Sequence, residues 1–272
     1  MKWFKLVIIS IVILIFSGCF KTSNTGLKIS CINVGEGDSI LIQYNNKNFL
    51  IDGGPLDESD NLLKYINLSG IKNFSCIFIT HPHEDHIGGI PKILLKYKVD
   101  NIFSSGSASN SPAYIKLTNL IKQKGIKAAV LTKGDKIIID KYFFFQILSS
   151  ENSNKDNLNN NSLVIKLTYC NNTFLFMGDA EKEIEDNLLE SKVSLKSDVI
   201  KIAHHGSSTS TSDEFLDAVS PKIALISCGL NNSFNHPSKI VVNRLKNRNI
   251  LFFRTDIDGT IELHSDGNKI KH

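Results

Sequence analysis

From residue 27 onwards, short apolar runs rich in Ile, Val, Leu and Phe alternate with stops made of Gly, Asn, Asp or His. Runs of that length and composition, bounded by turn residues, predict buried strands. Residues 27–34 and 39–44 read as strands around the turn Gly35-Glu36-Gly37-Asp38, and residues 48–52 as a third ending in Asp52-Gly53-Gly54-Pro55. A helix over 59–68, a strand over 74–79 and a helix over 88–98 follow, with Pro91 tolerable only near the first turn of that helix. Next come a strand over 101–104, a helix over 113–124, strands near Ala128, Lys136 and Tyr142, and a polar Asn-rich loop over 151–161. The second half alternates more regularly: strands 162–169, 173–177, 199–203 and 223–228, helices 180–190, 212–219 and 238–247, and last strands around Phe252 and Ile261. Strand clusters opening each half, with helices between the later strands, predict two sheets face to face with helices outside. No Pro/Gly linker divides the halves, so residues 27–272 read as one domain.

The stops carry the chemistry. Thr80-His81-Pro82-His83-Glu84-Asp85-His86 leaves the apolar run 74–79 and packs His81, His83, Asp85 and His86 together. Neutral imidazole nitrogen and carboxylate oxygen suit zinc and its first-row neighbours. Histidine supplies 8 of 272 residues, so three at fixed places arise by chance in about 1% of such chains, and a metal loop is preferred to an ordinary polar one. Other polar groups also sit just past apolar runs. Asp179 reads alone as a helix N-cap, but beside a His cluster as a carboxylate able to bridge two cations. Adjacent His204 and His205 on a strand point to opposite sides. His205, at the strand end beside Gly206, is therefore the expected ligand, and His204 faces substrate. His236, before Pro237, reads equally as a turn residue or a site residue, while His264 and His272 read as peripheral.

At the N-terminus a basic start, Met1-Lys2-Trp3-Phe4-Lys5, precedes an apolar run over 6–16. That run is short of the ~20 residues of a membrane span and suits a secretory h-region. It ends in Phe16-Ser17-Gly18-Cys19, which resembles a bacterial lipobox: residues 1–18 a signal peptide, Cys19 the lipidated N-terminus, and 19–26 the lipidated Cys with its tether. An uncleaved anchor helix is the alternative, and both place the domain at a membrane surface outside the cytoplasm. Removing residues 1–18 takes Lys2 and Lys5 from 31 basic residues, leaving 29 against 27 acidic, a net charge of +2. That excludes a strongly basic nucleic-acid coat. Cys31, Cys76, Cys170 and Cys228 lie in or beside apolar runs with no Cys-x-x-Cys spacing, so four free, buried thiols are expected.

Together, His81-x-His83-x-Asp85-His86, Gly178-Asp179 and His205 resemble the metallo-β-lactamase superfamily. Within it, the hydrolase domain of ComEC-type competence proteins is the nearest likeness. It is carried by Asn33-Val34-Gly35-Glu36-Gly37-Asp38-Ser39, Ile51-Asp52-Gly53-Gly54, His204-His205-Gly206-Ser207 and Thr255-Asp256-x-Asp258-Gly259, over residues 27–265. The resemblance implies a four-layer αββα sandwich of mixed α+β and α/β character with a dinuclear metal site on one edge. It implies that His81 and His83 hold one ion, that Asp85, His86 and His205 hold the other, that Asp179 bridges them, and that Asp52 orients the ligand loop. Many members carry a further His before the strand matching 162–169. Here Asn157-Leu158-Asn159-Asn160-Asn161-Ser162 offers none, which leaves the first ion more open and turns Asn159 or Asn161 to the site.

The implied cofactors are two divalent ions, Zn2+ before Mn2+. Such ions lower the pKa of bound water towards 7, giving a hydroxide nucleophile. Asp85 or Asp179 would orient it, and His204, with His236 and Ser207 on the substrate side, would serve the leaving group. The expected function is a membrane-anchored extracytoplasmic phosphodiesterase or nuclease acting on DNA or a cell-wall phosphodiester. An amide or ester (lactam or lactone) hydrolase and a non-catalytic binding lipoprotein are the alternatives.

Overall fold

The structure, a computed structural model, describes residues 26–150 and 157–272. The segment expected to be a signal peptide, Cys19 and the expected tether up to residue 25 lie outside the described residues, as do residues 151–156 of the polar loop. Among the described residues no helix is long and apolar enough to cross a membrane.

Two sheets form the centre. The first runs, edge to edge, Ile270–Lys271, Ile261–Ser265, Leu27–Cys31, Ile40–Tyr44, Lys47–Ile51, Cys76–Ile79, Asn101–Ser104 and Lys127–Val130. The second runs Leu251–Arg254, Ile223–Ile226, Val199–Lys201, Asn172–Phe176, Val164–Tyr169, Phe143–Ser149 and Lys136–Asp140. Each sheet changes from antiparallel hairpins to parallel crossovers part-way across. Apolar side chains of both inner faces fill the space between them, including Phe49, Phe78, Phe143, Phe145 and Phe176. Phe145 lies 4.9 Å from Phe78 and 5.2 Å from Phe49 between ring centres, which ties the sheets together. Burying large aromatic rings in this way dominates core energetics.

The outer faces are covered by amphipathic helices. Ser59–Leu68, Ile90–Lys96 and Pro112–Gln123 lay Leu62, Ile66, Ile93 and Leu117 on the first sheet. Lys182–Glu190, Asp213–Val219 and Lys239–Asn247 lay Ile184, Leu188, Phe215 and Leu245 on the second. The result is the expected αββα sandwich. The parallel strands of both sheets deliver polar residues from their carboxyl ends, where open α/β sheets bind ligands: Asp52 after Ile51, Thr80 after Ile79, Asp179 after the strand ending at Phe176, and His204 after the one ending at Lys201.

Some local expectations need correction. The strand expected over 199–203 stops at Lys201, because Ala203–Gly206 forms a 3-10 turn with left-handed His204 (φ 47°) and His205 (φ 52°). The two histidines are therefore not placed by strand alternation. The helix expected from Ala180 starts at Lys182, and Glu84–Ile87 and Thr255–Asp258 form short unexpected helices. Three of the four expected free thiols, Cys31, Cys76 and Cys228, are free and buried. Cys170 is disulfide-bonded. It occupies a left-handed, half-buried turn position (φ 50°) after the strand Val164–Tyr169, so the burial argument does not reach it.

Candidate metal centre

The ligand loop is shaped by hydrogen bonds that leave His86 Nε2 free. The buried strand Cys76–Ile79 leads into Thr80 and His81, and His83 then caps the four-residue helix that carries Asp85 and His86. Asp52 holds the loop from the neighbouring strand. Its Oδ1 accepts from Thr80 N (2.8 Å), and its Oδ2 accepts from Thr80 Oγ1 (2.6 Å) and from His86 Nδ1 (2.8 Å). The His86 proton is thereby fixed on Nδ1 and Nε2 is turned to the site, as a metal-ligating imidazole requires. Burial raises the Asp52 pKa against these hydrogen bonds. From the other side Asp38 N donates to Asp85 O (3.1 Å). That approach requires Gly37, where a Cβ would lie 2.3 Å from the Asp85 carbonyl oxygen.

Asp179 is at the centre. Its Oδ2 lies 3.2 Å from His86 Nε2, 3.5 Å from His205 Nε2, 3.8 Å from His81 Nε2 and 4.0 Å from His204 Nε2. Asp85 Oδ2 is 3.2 Å from His205 Nε2 and 3.6 Å from His86 Nε2. His205 Nδ1 donates to Ser227 O (3.0 Å), so its Nε2 is the inward atom. Thr255 Oγ1, which bonds both N and O of Cys228 (2.9 Å each), secures the backbone next to that carbonyl. One ligand atom from each of Asp85, His86, Asp179 and His205 lies within 4.8 Å of all the others. Beside them, His81 Nε2 and His83 Nδ1 stand 3.0 Å apart.

This donor set fits divalent cations. Buried His86 Nε2, His205 Nε2 and Asp179 Oδ1 have no hydrogen-bond partner, a costly arrangement unless something else meets them. The electrostatics agree. Burial alone would depress His86 and His205, yet the Asp179 carboxylate and its neighbours hold His86 well above the usual range and push His205 up to about 10. Burial would raise Asp179, but His86 and His205 hold it well below the carboxylate range. Burial, followed by His86, depresses His81. Positive charge is strongly favoured here. The second acidic group, Asp38 with Asp52 and His86, is already served: Asp38 Oδ2 forms an ion pair with fully buried Lys201.

The remaining expected residues divide. His204 borders the cluster, its Nδ1 3.3 Å from Glu181 Oε1, and burial lowers its pKa. His236 is brought to the site, its ring 5.5 Å from His204 and its Nδ1 3.0 Å from Glu36 Oε1. Asn159 lines the groove above the cluster, and its buried Oδ1 has no hydrogen-bond partner. Asn161 is buried and does not line the groove, and Ser207 Oγ is engaged with Thr209 Oγ1 (3.0 Å). The groove holds about 800 Å3, with Leu56 and Phe234 on its walls. Sequence reasoning missed Thr80, Glu36, Phe234 and the Asp38–Lys201 pair. The one available signal was a lysine inside the apolar run 199–203.

The sequence model described as Metallo-beta-lactamase superfamily matches residues 32–230. The chain is 31% identical over 253 residues to ComE operon protein 3 of Bacillus subtilis, covering 86% of this chain and 32% of that protein. It is 28% identical over 232 residues to Competence protein ComA of Neisseria gonorrhoeae, covering 85% and 31%. The chain thus spans about a third of the length of these relatives. Among solved structures it is similar to YhfI of Bacillus subtilis, a metallo-beta-lactamase fold protein, with a TM-score of 0.57 at 12% identity over 87% of this chain and 99% of that one.

Proposed function

This chain belongs to the metallo-beta-lactamase superfamily and is a metal-dependent hydrolase, and we propose that its substrates are phosphodiesters, either DNA or a cell-wall phosphodiester. The observation that carries the reading is Asp179 Oδ2, which lies within 4.0 Å of His81 on one side and of His86 and His205 on the other. One carboxylate shared by two ligand groups is the arrangement for a pair of ions. His81, His83 and Asp179 would hold the first, and Asp85, His86, His205 and Asp179 the second. Two divalent ions bound there would offset phosphoryl charge and lower the pKa of a bound water. The imidazole-rich set favours zinc over manganese.

The chain's own groups supply the rest. Asp85, partly exposed at the groove floor, accepts a hydrogen bond from the attacking water and aligns it. His204 stands at the groove edge, its Nε2 4.0 Å from Asp179 Oδ2, and protonates the leaving oxygen. His236 is held by Glu36 with its ring along the groove and contacts the flanking part of the substrate. We place this activity outside the cytoplasm, at a membrane surface, on the basic and apolar N-terminal segment alone.

The test is hydrolysis of bis-p-nitrophenyl phosphate and single-stranded DNA by zinc- or manganese-loaded protein. Both reactions should require metal and vanish in His83→Ala and Asp85→Ala variants that keep the wild-type circular dichroism spectrum. Opening of nitrocefin or a homoserine lactone, with both phosphodiesters untouched, would replace this reading by an amide or ester hydrolase.

A further inference from the structure

One wall of the groove has no part in the chemistry above. Phe234 lies on the loop between the strand Ile223–Ile226 and the helix Lys239–Asn247 and is 67% exposed, yet its loop is pinned. The Asn232 amide donates to Gly229 O (2.9 Å) and His236 O (2.6 Å) and accepts from Phe234 N (3.2 Å) and His236 N (2.9 Å). The Phe234 ring stacks on His236 at 5.6 Å and 20°, and His236 continues the stack to His205 at 6.1 Å and 26°. One face of the phenyl ring is therefore supported and the other is open. Leu56, 43% exposed, stands on the same groove.

We propose that Phe234 is a specificity-determining residue that stacks a nucleobase adjoining the scissile phosphodiester. This rests on the phosphodiesterase reading and narrows it: the substrate class is single-stranded nucleic acid, not a polyol phosphate. A polyol offers no π face to a pinned aromatic ring, whereas every unpaired base does, and base–aromatic stacking is largely independent of sequence. Charge points the same way. Glu36, Asp57 and Glu84 line the groove beside the metal centre, and they disfavour contacts to further phosphates along the chain. Affinity then comes from the base next to the reacting phosphate, and Phe234 with Leu56 supplies the apolar surface for it.

The experiment uses the full zinc-loaded chain with three probes: a short oligothymidylate, the same oligomer with abasic spacers, and polyglycerol phosphate. Rates are followed as kcat/KM, and binding of fluorescent oligomers by anisotropy. The base-bearing oligomer is expected to be preferred over the abasic one by about tenfold or more, the scale of one stacked base. Phe234→Ala should remove most of that preference, chiefly through KM, and Phe234→Trp should restore it. A preference unchanged in Phe234→Ala, or polyglycerol phosphate cleaved as well as the oligomer, would overturn the proposal. Should no phosphodiester be cleaved, bis-p-nitrophenyl phosphate included, the phosphodiesterase reading falls by itself. Anisotropy then still decides: a base-over-abasic difference lost in Phe234→Ala upholds stacking, and no difference refutes it.

Discussion

Lys201→Met should be among the most destabilising single changes in this chain. Lys201 is 1% exposed and Asp38 2% exposed, and their ion pair joins the second sheet to the Gly35-Glu36-Gly37-Asp38 turn of the first. Burial alone would lower the lysine's pKa, but the Asp38 carboxylate more than reverses this, so the lysine stays charged. Methionine has nearly the same length, so little cavity is created, and the penalty is that of an uncompensated buried carboxylate. Removing one member of a buried pair costs about 3–5 kcal/mol. At roughly 2–4 °C per kcal/mol for a domain of this size, Tm should fall by about 6–20 °C. The damage should also reach the site, since Asp38 Oδ1 lies 3.5 Å from His205 Nδ1. Thermal unfolding followed by circular dichroism, in chelator and in zinc, measures this. Asp38→Asn combined with Lys201→Met removes the stranded charge and should recover more than half of the loss. A single variant within about 1 kcal/mol of wild type, or a double variant no better than Lys201→Met, would refute the reasoning.

Three further outcomes are expected. Asp52→Asn removes the carboxylate that orients His86 at 2.8 Å and should weaken zinc binding about 10–100-fold in a chelator competition; unchanged affinity would show that Asp52 does not set the ring. Stripping metal with EDTA should lower Tm reversibly, and zinc at 100 times its Kd should return about 2.7 kcal/mol, or ~5–11 °C; a scan indifferent to zinc would contradict the donor-set argument. Gly206→Ala places a Cβ 2.5 Å from Pro237 Cβ at a φ of +85°, so the urea midpoint should shift by the equivalent of about 1–3 kcal/mol and zinc affinity should fall with it.

The sandwich was legible because its strands are short, continuously apolar and stopped by turn residues, and because strand clusters open each half with helices between the later strands. The ligand loop was legible for a different reason: four residues of metal-ligating type fall within the six positions His81 to His86, so local sequence alone brings them together. What depends on tertiary packing was not legible. Left-handed backbone at His204 and His205 comes from the tight turn under Pro237, not from any strand propensity. A lysine in an apolar run reads as a side chain reaching for solvent, and only the fold shows that Lys201 meets Asp38 from the other sheet. Phe234 sits in an Asn-rich stretch that reads as an ordinary loop, and its pinning by Asn232 depends on hydrogen bonds that composition does not reveal.

The proposed centre would take His81, His83, Asp85 and His86 from the first sheet's side, and Asp179 and His205 from the second's. Neither half of the chain carries a complete ligand set. A folding intermediate with one sheet formed would be only a loose chelator, and tight metal uptake would mark the moment the two sheets dock. A bound ion would then act as a clasp across the sandwich, and metal affinity would serve as a gauge of correct assembly as well as of catalytic readiness.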